Sequence, residues 1–160
     1  MDIDVQIITV TSAVVSALVA FVGIQQYFLA RERFKLDLFE KRFSVFKAAE
    51  KFLNDAIRDH HVSHANLVEF DKGTQITSYI FGKDIVGFLA DIRTKANQST
   101  SYYESQRPLE GGSPERMDLG QKNHKLLEEF ITTQAGLKDK FSKYLEFKKW
   151  KFGFLTGIFN

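Results

Sequence analysis

The stretch LARERFKLDLFEKRFSVFKAAEKFL (residues 29–53) is dense in charge and in phenylalanine. It begins where a run without any charged residue, residues 5–30, comes to its end. The abruptness of that change decides how the fold is read. Upstream, residues 5–28 read VQIITVTSAVVSALVAFVGIQQYF, and the most apolar part, residues 7–24, is 18 residues long. A membrane-spanning helix needs about 20 mostly apolar residues, and rarely fewer than about 17. A buried core helix and a cleaved signal peptide are the alternatives. A signal peptide would start with basic residues and close on a small-residue cleavage site, whereas this chain starts MDID and runs on into a charged helical pattern.

Tyr27 and Phe28 stand at the far edge of the run, where interfacial aromatics are expected. Arg31, Arg33, Lys35, Lys41 and Arg42 follow them, while Asp2 and Asp4 lie on the other side. The bias of cations places the N-terminus outside and the bulk of the chain in the cytoplasm. On this reading the chain turns charged because it leaves the bilayer there, with its cations against the anionic inner leaflet. Ser12, Ser16 and Ala20 recur every four residues, as do Ala13 and Ala17. Such spacing lets membrane helices approach closely, and it is also what a composition rich in Ala and Ser produces.

The rest of the composition narrows the class. A chain of 160 residues has room for about one domain. Its 22 basic and 20 acidic residues leave a net charge of +2, which does not describe a general binder of long nucleic acid. With no cysteine, disulfides, thiolate nucleophiles and cysteine-held metals are excluded. Two prolines and 16 phenylalanines fit a mainly helical protein with ample material for a core.

No Gly or Pro occurs between Gly23 and Gly73, so one helix is expected from the membrane to about Arg58. Leu36, Phe39, Phe43, Phe46, Leu53 and Ile57 form a heptad-like seam with Glu50 in the vacant place. Three phenylalanines are wide for a two-stranded coiled coil, which favours packing within the domain. Ser63 is an expected N-cap for HANLVEFDKGTQITSYIF, with Gly73 placed awkwardly inside it, and Asp84 an expected cap for the helix carrying Ile85, Leu89, Ile92 and Ala96. RPLEGGSPE, residues 107–115, reads as a loop. A helix from about Arg116 to Gln134 should end at Gly136, with a short helix from Lys138 to about Glu146 after it.

The fold class expected is therefore all-α: a single N-terminal transmembrane helix continuing into a long helix of a cytosolic helical bundle. Residues 1–30 form the anchor, residues 31–147 the cytosolic domain, and residues 148–160 a basic-aromatic tail. In that tail Lys148, Lys149 and Lys151 interleave with Trp150, Phe152, Phe154 and Phe159. The pattern suits a stacking platform for nucleic acid, a segment on anionic lipid, or a terminal element packed into the core.

Three segments carry a resemblance: QQYFLARERFKLDLFEKRFSVFKAAEKFL (25–53), YIFGKDIVGFLADIRTKA (79–96) and KFSKYLEF (140–147). The chain resembles a widespread family of small bacterial proteins with one N-terminal membrane helix and a cytosolic helical domain. In size and layout it also resembles membrane effectors associated with type III CRISPR systems. That narrower resemblance implies an antiviral role in the bacterial inner membrane. It implies a homo-oligomer, with a tetramer as one form, a cyclic oligonucleotide second messenger (cyclic tetra-adenylate above all), and disruption of the bilayer on binding. A membrane-tethered scaffold without a nucleotide ligand is the other reading.

The segment RDHHVSHAN gathers Arg58, His60, His61, His64 and Asn66, the candidate ligand-binding residues. His60 and His64, four apart, could share a helix face as metal ligands, but no HExxH pattern completes the set. Arg58, the histidines and the N–H groups at the next helix start could hold a phosphate. Repeated around an oligomer axis, such sets would suit a symmetric cyclic anion. The plain alternative is an exposed polar corner between helices. Arg93, Lys95 and Gln98, near Tyr102 and Tyr103, are a second face of the same kind. There is no P-loop, GxSxG or dinucleotide fingerprint, and Glu128 and Glu129 are adjacent and do not face each other. The expectation is a protein that is not an enzyme and has no cofactor, catalytic residue or metal.

Overall fold

The computed structural model describes residues 2–146, with side chains from residue 11 onward. Five helices follow one another: α1 (Asp2–Asp59), α2 (His64–Thr74), α3 (Thr77–Ile80), α4 (Lys83–Gln106) and α5 (Pro114–Leu145). Among the described residues there is no strand, and the protein is all-helical. The expected tail, residues 148–160, lies outside the described residues. The chain divides into two compact units, Met1–Glu40 and Lys41–Asn160.

In the first unit every described side chain from residue 11 to residue 34 is exposed. Leu18 is 60%, Val19 67% and Phe21 59% exposed. Scattered apolar residues are ordinary on a surface, but a contiguous apolar run of this length is not. Fully burying one Val, Leu or Phe side chain stabilises by about 1.5–3 kcal/mol, so the run has a strong drive to be covered. The helix is long and apolar enough to cross a membrane.

The second unit is built on a wide apolar stripe of α1. Val45, Ala49, Phe52 and Ala56 form one row and Phe46 and Leu53 a second, all buried. Two adjacent rows at helical spacing let one helix pack against neighbours on two sides. The seam expected from the large residues is therefore right in part. Phe46 and Leu53 are core residues and Ile57 packs against them. Phe43, however, is 40% exposed and Leu36 49%. The buried face is rotated toward Val45, Ala49, Phe52 and Ala56, because small alanines mark close approach as surely as phenylalanines mark bulk.

Leu67 and Phe70 of α2, Ile85, Leu89, Ile92 and Ala96 of α4, and Leu127, Phe130, Leu137 and Phe141 of α5 complete the core. Its aromatic rings meet edge to face, with Phe52 and Phe130 at 6.0 Å and Phe46 and Phe141 at 5.6 Å. Gly73, the awkward residue of the α2 stretch, has a steric reason. A Cβ there would come within 2.5 Å of the Ala48 Cβ, so α2 lies as close to α1 as it does because that residue has no side chain.

Ser63 caps α2 as expected, its Oγ accepting from the Asn66 N–H at 3.1 Å. Ser113 does the same for α5, with Pro114 in the first turn. Two expectations are corrected. Asp84 is not the cap of α4; Gly82 occupies that position without a side-chain bond, and Asp84 sits in the first turn with other partners. Gly136 does not end a helix, since α5 continues through it to Leu145. A mid-helix glycine costs about 1 kcal/mol against alanine. Burial of Leu137 and Phe141 just beyond it, 2% and 0% exposed, outweighs that.

Candidate functional site

The corner between α1 and α2 holds the residues singled out from the sequence, and the structure assigns each a place. Arg58 is exposed on the last turn of α1. Its Nε donates to Asp59 Oδ1 at 2.8 Å, and its Nη1 lies 3.1 Å from Asp55 Oδ1. The hydrogen bond with Asp59, followed by the nearby carboxylate charges, raises the Arg58 pKa, and the Arg58 bond lowers that of Asp59. One guanidinium is thus matched by two carboxylates. An anion approaching Arg58 would have to displace them and would meet their net negative charge.

His60 has φ of 56°, the sole positive value among the described residues other than glycine. The left-handed turn lets the chain leave α1 at once, and its carbonyl accepts from Asn123 Nδ2 at 3.2 Å. Asn123 Oδ1 in turn accepts from the buried Ser99 hydroxyl at 2.7 Å. The Thr100 hydroxyl donates to the Val62 carbonyl at 3.0 Å, so α4 and α5 together pin the corner. The His61 ring stacks on Tyr103 with centroids 4.2 Å apart and planes 16° from parallel. Its Nδ1 lies 2.8 Å from the Asp59 carbonyl oxygen. A carbonyl only accepts, so Nδ1 carries a proton. His64 is exposed at the start of α2. Asn66 gives its backbone N–H to Ser63 and its side chain lines a groove between α1 and α2. Arg58, His60 and His61 are consecutive parts of one turn. Among the described residues no three His, Asp or Glu side chains gather as a metal site.

An alanine at position 60 would keep the left-handed strain, whereas glycine would remove it. His60→Gly is expected to leave stability unchanged or raise it by up to about 1 kcal/mol, and His60→Ala to do neither better. Thermal unfolding of the two variants side by side checks this. Equal loss in both would show that the imidazole itself holds the corner.

The second face named from the sequence is largely neutralised. Arg93 Nε pairs with Asp71 at 2.8 Å. Lys95 lies 2.9 Å from both Glu129 and Asp91, and hydrogen bonds to these two raise its pKa. Next to it runs an open groove of about 650 Å³ between α4 and α5, lined by Phe88, Lys125, Thr133, Gly136 and Lys140 among others. The Lys140 ammonium stands 5.9 Å above the Phe88 ring.

A third cluster escaped sequence reasoning about chemistry. Arg42 Nε donates to the Ile80 carbonyl at 3.0 Å, and Nη1 to the Tyr144 carbonyl at 3.5 Å. The guanidinium lies 5.3 Å from the Tyr144 ring centroid and 5.8 Å from that of Phe81. The Gly82 N–H donates to the Tyr144 hydroxyl at 3.1 Å, and that hydroxyl donates to Asp84 Oδ1 at 2.7 Å. Lys143 Nζ sits 2.9 Å from Asp84 Oδ2. A Cβ on Gly82 would come within 2.5 Å of the Tyr144 hydroxyl and 2.8 Å of Asp84 Oδ1, so the relay needs glycine. The three segments quoted for the resemblance meet here: Arg42 from the first, residues 80–84 from the second, Lys143 and Tyr144 from the third. Their shared role is to lock α1, α3, α4 and α5 together. The segments themselves were the signal. For Asn123 the signal was a polar residue at an apolar-face position between Leu119 and Leu127.

Bonds from Lys143 and then Tyr144 pull the Asp84 carboxyl down to about 2. A carboxylate depressed by folding adds stability that is present above its unfolded pKa and lost as pH falls through the folded one. The Asp84 contribution is therefore expected to fade between about pH 4 and about pH 2. Asp84→Asn should flatten the acid limb of a pH-against-stability curve in that window; an identical limb in the variant would mean that the pair does not stabilise the fold. No family model, curated protein or solved structure matches this chain.

Proposed function

We propose that the chain is a single-pass membrane protein whose helical domain, held on the cytosolic side, works as a tethered binding module. The observation that carries this reading is the α1 segment, charge-free from residue 5 to residue 30 and exposed at every described side chain from residue 11 to residue 34. Lipid is the cover that fits it. The cations Arg31, Arg33 and Lys35 beyond its end suit the inner surface of a bilayer. Binding rather than turnover is favoured because the charged groups described above are mostly committed to ion pairs inside the domain.

The absence of native cysteine makes topology directly testable. Asp4→Cys should react with a membrane-impermeant maleimide from outside intact cells, and Gly111→Cys only after lysis. The reverse pattern would reject the orientation. Labelling of neither position in membranes, with the protein recovered in the soluble fraction, would reject the anchor.

A second reading has its own support. Arg58 and His60 are exposed and His61 is half-buried on one turn, and the His61–Tyr103 stack offers an aromatic plane beside it. On the type III CRISPR-associated reading, a cyclic oligoadenylate would bind at this corner, between subunits. Such a ligand acts only by binding one oligomeric arrangement better than another. Full-length protein in lipid nanodiscs, titrated with cyclic tri-, tetra- and hexa-adenylate, decides between the two. Tight binding to one ring size, lost in Arg58→Ala and His61→Ala, makes it a sensor. No binding to any ring leaves the tethered module.

A further inference from the structure

The seam between α4 and α5 is tied by ion pairs at two levels. Lys143 Nζ stands 2.9 Å from Asp84 Oδ2, and Lys95 Nζ stands 2.9 Å from Glu129 Oε2. Lys140 lies on α5 between these levels, and the α4 side chain it faces is Phe88, where a carboxylate would complete the pattern. Its ammonium stands 5.9 Å from the ring centroid, at the outer limit of a cation–π contact. Among the described residues no carboxylate pairs with it. Phe88 is half-buried and packs against the core, so its ring is a fixed plane with one side toward the groove of about 650 Å³.

Gly136, one turn before Lys140, lines the same groove. Gly73 and Gly82 each have a neighbour that a Cβ would strike. Gly136 has none, since a Cβ there would meet no atom within 4 Å. It is a half-buried glycine in mid-helix with open space above it, kept against helix propensity. The hollow over Gly136 is flanked by an ammonium without a carboxylate and by an aromatic plane. That combination suits a flat apolar body carrying one negative charge, placed by a few polar groups in a mostly apolar cleft. Lys125 lines the far end of the groove, 15 residues away and about 22 Å along the helix, so one small anion meets only one of the two lysines.

We infer that the α4–α5 groove is a binding site for an aromatic carboxylate, whose carboxylate pairs with Lys140 and whose ring lies over Gly136 against Phe88. The inference rests on the reading of the domain as a binding module and is independent of the membrane anchor. Glu128, on the groove wall toward Lys125, has His124 3.5 Å away as its own partner.

The probe is 4-(trifluoromethyl)benzoate, followed by fluorine NMR line broadening on the full-length protein in detergent, with empty micelles subtracted. Its uncharged counterpart is 4-(trifluoromethyl)benzyl alcohol. The expected result is saturable broadening of the benzoate and little of the alcohol. Lys140→Met and Gly136→Leu should each weaken benzoate binding by about tenfold, and Lys125→Met should leave it unchanged. Leucine is the better helix former and its Cβ meets open space, so Gly136→Leu should melt no lower than the native protein. Should that variant fail to fold, Lys140→Met decides alone. Equal broadening of the alcohol would make the groove merely apolar and overturn the inference. So would competition by inorganic phosphate as strong as that of the benzoate itself, or equal losses in Lys125→Met and Lys140→Met. Benzoate affinity that falls as protein concentration rises would put a second copy of the chain in the groove and overturn it too. No broadening at all would overturn the site and leave the binding module standing. A new fluorine resonance growing with time would uphold the site and overturn the module, because the ligand would be turned over.

Discussion

Phe141→Ala is expected to lower the stability of the second unit by about 3–5 kcal/mol, a large share of the roughly 5–15 kcal/mol that holds a domain of this size. Phe141 is fully buried. Its ring meets Phe46 of α1 edge to face at 5.6 Å and Phe81 at 5.3 Å with planes 82° apart. Removing the ring opens a cavity where α1, α5 and the residues before α4 converge, and it forfeits two aromatic contacts at once. Hydrogen exchange of the full chain in detergent reads the effect, because the amides of α4 and α5 should exchange far faster while those of the apolar part of α1 do not change. Unchanged protection would mean that the last turns of α5 are not docked on α1.

Arg42→Met is expected to cost about 2–3 kcal/mol, although it replaces a half-buried charge by an apolar side chain of similar length. The loss comes from what is left behind. The Ile80 carbonyl gives up its bond from Nε, the Tyr144 carbonyl its bond from Nη1, and the faces of Phe81 and Tyr144 their cation. Arg42→Lys should restore little of this, because a single ammonium does not present two donors in a fixed fork to two carbonyls. Thermal unfolding in detergent tests both variants. A lysine variant as stable as the native protein would show that charge rather than fork geometry is what matters. Arg42 and Phe141 share Phe81 as a neighbour, so the double variant should lose less than the two single losses combined.

These two residues also mark where reading from the sequence stops. The helical class, the long first helix and its charge-free segment are local properties. Run length, the missing breakers after Gly23 and the Ser63 cap can all be counted along the chain. So is the gathering of Arg58, His60 and His61, which are neighbours in sequence. Other features depend on what stands opposite. Gly73 reads as a helix breaker until Ala48 is seen to lie where its side chain would be. Asp84 reads as a cap until Lys143 and Tyr144 are seen to occupy its carboxylate. Arg58 reads as a free cation until Asp55 and Asp59 are found on either side of its guanidinium.

The chain by itself thus determined its helices and its apolar segment, since backbone propensity and hydropathy add up over neighbouring residues. Only the tertiary structure decided which face of α1 is core, that α5 continues through Gly136, and which polar groups remain unspent. Those outcomes turn on partners up to 102 residues away, and their packing and ion pairing outweigh the roughly 1 kcal/mol by which local preference would have chosen otherwise.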